Sequence, residues 1–65
     1  MIRLTRLNGE EVVVNAELIE MLEALPDTTI TLTTGRKLVV KEGIEEVIRR
    51  YVLFKRQFIR GGRGR

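Results

Sequence analysis

The chain has no cysteine, no histidine, no tryptophan and no serine, a single proline (Pro26) and a single aspartate (Asp27). Without cysteine there is neither a disulfide staple nor a thiolate, and without histidine there is no imidazole to bind a metal or move a proton. The usual nucleophile–base pairs of hydrolases are missing with them. The only acids are Asp27 and eight glutamates, and a carboxylate-only metal site would need several of them to converge from a very small scaffold. No catalytic, cofactor-binding or metal-ligating residue stands out, and no enzyme is expected. No run of about 18 apolar residues is present to span a bilayer. Met1 to Leu7 alternates charge and apolarity instead of building the apolar stretch of a signal peptide, so the chain is expected to stay in the cytoplasm.

What is present is 65 residues, 43% of them apolar, with a net charge of +3. That is one small domain. The charge is unevenly placed. Residues 1–46 hold five basic side chains and all nine acids, a net of −4, whereas residues 47–65 hold Arg49, Arg50, Lys55, Arg56, Arg60, Arg63 and Arg65 and no acid, a net of +7. A helix dipole favours acids early and bases late, but the basic excess runs on into a tail where no dipole needs compensating.

Ile2–Leu7 alternates at period two, Glu11–Val14 is rich in β-branched valine, and the Asn8-Gly9 between them favours a type I′ hairpin turn. Asn15 stands as an N-cap, and Leu18, Ile19, Leu22 and Leu25 follow at helical spacing until Pro26 stops the run. Thr28–Thr33 then alternates, Thr34-Gly35 turns, and Lys37–Val40 returns before a last helix from Gly43. Aligning Gly9 with Gly35, an offset of 26 positions, overlays Val12–Val14 on Leu38–Val40. The predicted fold is α+β with two ββα units (ββαββα), antiparallel hairpins covered by helices. The alternating threonines are read as strand formers, not as a polar site.

In the last helix Ile44, Val47, Ile48, Tyr51, Val52, Phe54, Phe58 and Ile59 share one arc, with Leu53 the single apolar intruder on the polar face. Lys55 lies within that arc and has to snorkel or find a partner. From Gly43 to Ile59 the helix would rise roughly 25 Å, longer than a five-residue strand of about 17 Å, so its end is expected to project from the domain. Residues 1–59 form the expected single domain and 60–65 a basic Gly/Arg tail expected to be disordered. Val13 and Val39 point to the outer sheet face. Together with Phe54, Phe58 and Ile59 they are the expected oligomer interface, because so small a staple-free core collects only about 3–5 kcal/mol by itself. Arg49, Arg56, Arg60, Arg63 and Arg65 are the expected surface for an acidic partner or an anionic membrane.

Three uses of this helix end compete. One is protein assembly. Another is nucleic-acid binding by phosphate contact, made less favourable because Tyr51, Phe54 and Phe58 are all on or near the apolar arc and leave no stacking platform. The third is weak peripheral contact with an anionic membrane.

The string Ile2-Arg3-Leu4-Thr5-Arg6-Leu7-Asn8-Gly9, then Val14-Asn15-Ala16-Glu17-Leu18-Ile19-Glu20, Pro26-Asp27-Thr28, Thr31–Gly35 and Val40-Lys41-Glu42 closely resembles the FlbD family of small bacterial flagellar proteins, also called SwrD. The likeness spans about residues 1–58 in order and spacing. It implies a non-enzymatic role without cofactor, supporting motor power and swarming through contact with a flagellar motor or stator protein at the inner membrane face. Gly43 departs from the helix-capping serine frequent in the family, and the Gly/Arg tail lies outside the resemblance. A second likeness, of Ile30–Glu46 to the ββα part of LytTR-type DNA-binding domains, gives the alternative of a small nucleic-acid-binding protein. Its basic recognition loops have no counterpart here.

Overall fold

A computed structural model describes the backbone of residues 1–63 and the side chains of residues 1–57. Among the described residues it is α+β: strands β1 (Ile2–Thr5) and β2 (Glu11–Val14), one 3₁₀ turn (Ala16–Leu18), strands β3 (Ile19–Ala24), β4 (Thr28–Leu32) and β5 (Lys37–Val40), then the helix α1 (Ile44–Arg63). β1 and β2 form one antiparallel sheet and β3–β4–β5 a second. The two meet where Arg6 bridges Val40 and the Lys41 amide donates to the Thr5 carbonyl at 2.8 Å. Across that junction the strand order is β2–β1–β5–β4–β3.

Both predicted hairpins form, and both turn in the same way. Arg6 and Glu10 close the first through an amide–carbonyl bond of 2.8 Å with the Gly9 amide on the Arg6 carbonyl at 2.9 Å. Leu32 and Arg36 close the second, with the Gly35 amide on the Leu32 carbonyl, both at 2.8 Å. The 26-residue offset therefore holds for the hairpins. The turn type differs from the one expected. A type I′ turn needs φ > 0 at Asn8 as well as Gly9, but only the glycines carry positive φ, +95° at Gly9 and at Gly35. Each is a three-residue loop ending in a left-handed glycine, and Asn8 uses its side chain instead, Oδ1 accepting the Glu10 amide at 2.9 Å. A Cβ at either glycine meets nothing within 4 Å, so the cost of substitution is purely that of the backbone. Gly9→Ala and Gly35→Ala are each expected to lower unfolding stability by about 1–2 kcal/mol, additively, in urea titrations of the single and double variants.

The predicted first helix is not there. Asn15 does cap, its Oδ1 accepting the Glu17 amide at 3.0 Å, but it caps one 3₁₀ turn, after which the chain enters β3. The ββαββα arrangement is thus replaced by five strands and one helix among the described residues. The reason lies in a bulge. Ile19 pairs with Leu32 but the next partners are Met21–Thr31 and Leu22–Ile30, leaving Glu20 as the extra residue. One extra residue turns Ile19 and Leu22 to the same sheet face, so their spacing of three imitates a helical period. A two-turn helix with Glu17, Glu20 and Glu23 stacked along it would be marginal by itself, whereas β3 supplies β4 with a second ladder. Pro26 sits in the β3–β4 connection, after a cis Leu25–Pro26 bond.

The core is Ile2, Leu4, Val14, Ile30, Leu38, Val40 and Val47, with Val12, Ile19, Leu22, Leu32 and Phe54 packed around it. Alternation is as predicted: Val14, Leu38 and Val40 are buried and Val13 and Val39 exposed. Helix α1 lies against β1 and β3, held by Val47. Gly43 opens it, its carbonyl accepting from the Glu46 and Val47 amides. The helical backbone runs to Arg63, beyond Ile59 where the sequence suggests an end. At 20 residues α1 is about 30 Å long, and the molecule measures 41 × 21 × 19 Å.

Candidate functional site

The second half of the chain carries the functional candidates, and α1 sorts them by helical angle. The face towards the sheets holds Val47, fully buried, with Ile44, Arg50, Tyr51 and Phe54 half-buried. This is narrower than the predicted apolar arc. Ile48 and Val52 fall outside it, 42% and 44% exposed.

An ion cluster fixes where the helix starts. Glu42, in the β5–α1 connection, accepts the Thr5 amide at 2.9 Å and the Thr5 hydroxyl at 2.8 Å. Arg50 reaches the same carboxylate at 3.6 Å, donates to the Arg3 carbonyl at 2.6 Å through Nη1, and donates to Glu46 at 2.6 Å through Nε. Arg49 forks onto Glu46 at 2.6 and 3.0 Å. Partial burial pushes the Glu42 carboxyl up, but the Thr5 donors and the Arg50 charge outweigh it and hold it below its ordinary value. Hydrogen bonds from Arg49 and then Arg50 pull Glu46 down to about 2, and the Glu46 bond raises Arg49. The Glu46–Arg50 pair has the favourable i,i+4 helical spacing, whereas Arg49 takes Glu46 at i,i+3. Lys55 finds its partner across the chain. Its Nζ donates to Glu17 at 3.0 and 3.2 Å and lies 5.8 Å from the Tyr51 ring centroid, and the Glu17 bond raises its pKa.

Of the interface candidates, Val13, Val39 and Phe54 have described side chains. Val13 is on β2 opposite Arg3, and Val39 is on β5 opposite Thr29, with β1 between them. Phe54 packs against the core of its own chain. The side chains of Phe58 and Ile59 lie outside the described residues. Of the basic candidates, Arg49 is engaged by Glu46, Arg56 is exposed, the Arg60 and Arg63 side chains are outside the described residues, and Arg65 is outside altogether. By helical angle Arg49 and Arg56 lie on the side of α1 away from Val47.

One concavity went unread in the sequence. Met1, Ile2, Arg3, Arg50, Leu53, Phe54 and Gln57 line an open groove of about 420 Å³ between β1 and α1. It has an apolar floor and an arginine rim. Leu53, the apolar residue out of place on the polar face, was the one signal for it. No group of acids able to hold a metal occurs among the described residues, and no helix among them is long and apolar enough to cross a membrane.

The chain is a small α+β body bearing a basic amphipathic helix. The chain belongs to the FlbD family of flagellar and swarming motility proteins, which matches residues 1–59. This is a flagellar accessory family and not a known enzyme family. No curated protein and no solved structure matches the chain.

Proposed function

We propose that this protein is a non-catalytic accessory of the flagellar motor that supports swarming by protein–protein contact. Its site of action is the cytoplasm beside the inner membrane face, its target an acidic surface of the stator, and it works as a self-associated unit. The family match over residues 1–59 carries the flagellar role. The contact mode is supported by the charge layout, since residues 1–46 keep all nine acids and residues 47–65 hold seven bases and no acid.

The test is charge reversal at the basic end of the chain. Arg60→Glu with Arg63→Glu and Arg65→Glu is expected to abolish swarming while flagellar number and protein level stay unchanged. The same three positions changed to lysine are expected to keep most of it. Wild-type swarming in the reversed variant would overturn the basic helix as the contact surface.

A further inference from the structure

The charges of α1 whose side chains are described divide into two sets. Glu46, Arg49, Arg50 and Lys55 all have partners within the chain. Glu45 and Arg56 are exposed and, among the described residues, have no ion pair. Between these two stand Ile48 and Val52, exposed by 42% and 44%. At 100° per residue all four share an arc of about 80° that excludes Val47. The row is short and apolar, with an acid at its N-terminal end and a base at its C-terminal end.

We infer that two copies of the chain meet on this row, as an antiparallel pair of α1 helices with its two-fold axis beside Val52. A two-fold contact must be self-complementary, and this row is so in one direction only. At 1.5 Å per residue Glu45 lies about 10 Å to one side of Val52 and Arg56 about 6 Å to the other. Reversing the partner brings Glu45 of one copy opposite the Arg56 turn of the other, twice over by symmetry, with Val52 against Val52 and Ile48 on the Arg56 stem. A parallel pair would stack Glu45 on Glu45 and one basic helix end on the other. A lipid surface suits the row less well, because Glu45 would face the phosphates. The inference rests on the self-association proposed above and names its surface. It is independent of the identity of the flagellar partner.

The experiment is sedimentation equilibrium of the full chain over a concentration series, with and without anionic phosphatidylglycerol vesicles. The wild type is expected to dimerise. Val52→Glu is expected to weaken the dimer by tenfold or more, with an unfolding midpoint unchanged at concentrations where both proteins are monomeric, because the position is exposed in the single chain. Glu45→Arg and Arg56→Glu are each expected to weaken it, and the double exchange to restore wild-type affinity, which a merely structural role would not produce. A wild type that stays monomeric throughout overturns self-association and this surface together. A wild-type dimer indifferent to Val52→Glu, or an exchange variant that does not recover, overturns this surface alone. A monomer whose vesicle binding is lost in Val52→Glu overturns it in favour of a membrane face.

Discussion

Val47→Asp is expected to leave no folded protein at neutral pH, whereas Ile48→Asp, one residue on, should change the stability of the single chain by only about 0.5 kcal/mol. Val47 is fully buried in α1 and belongs to the cluster with Ile2, Leu4, Val14, Ile30, Leu38 and Val40. It joins the helix to both sheets at once. Truncation to alanine should cost about 2 kcal/mol in lost transfer and residual cavity. Aspartate adds an unpaired charge among aliphatic groups and should exceed about 4 kcal/mol. A domain of this size without a staple holds about 3–5 kcal/mol in total, so alanine removes roughly half the stability and aspartate all of it. Urea titration followed by far-ultraviolet circular dichroism reads both. If Val47→Asp kept a wild-type midpoint, α1 would not be docked through this residue. Ile48 is the internal control at concentrations below those at which chains pair, since it is on the same helix turn but 42% exposed.

Much of this packing was legible in the sequence wherever the period was set by one element. The alternation around Val14, Leu38 and Val40 gave the inner faces of two hairpins, and Gly9 and Gly35 marked two turns of one kind. The amphipathic helix and the unmet need of Lys55 were also readable. The misreading of Leu18–Leu25 has a definite origin, because a strand with a bulge at Glu20 brings Ile19 and Leu22 to one face and so reproduces the spacing of a helix. Turn type failed for a related reason. The Asn-Gly pair signals a turn, but loop length decided which residue took the left-handed conformation. The cluster around Arg50 was not readable at all beyond its link to Glu46. Thr5, Arg3 and Glu42 are brought to that arginine only when β1 pairs with the end of β5, a contact between residues 37 positions apart. The groove beside Leu53 depends on the same closure.

The cluster around Arg50 should give the fold its acid sensitivity. Glu42 and Glu46 both have folded-state pKa values below the ordinary 4.5, that of Glu46 at about 2. A depressed carboxylate favours the folded state above its unfolded pKa, and the advantage disappears as pH falls through the folded value. The unfolding midpoint should therefore be flat near neutrality and decline from about pH 4.5 towards pH 2. Arg50→Met retains the aliphatic stem but frees the Arg3 carbonyl and removes the positive partner of both carboxylates. With Arg50 about one-third exposed, the expected loss at pH 7 is about 1–2 kcal/mol, reduced from the fully buried case by solvent screening. The variant should also be less acid-sensitive, because Glu42 and Glu46 then titrate nearer their unfolded values and the decline between pH 4.5 and 2 becomes shallower. Glu42→Gln should flatten the same limb in part, and combining it with Arg50→Met should cost less than the sum of the two, since they act on one cluster. Parallel acid limbs in wild type and Arg50→Met would mean that Thr5 and Arg49 alone depress these carboxylates. A shallower limb in the variant would identify Arg50 as the residue through which pH acts on the docking of the basic helix.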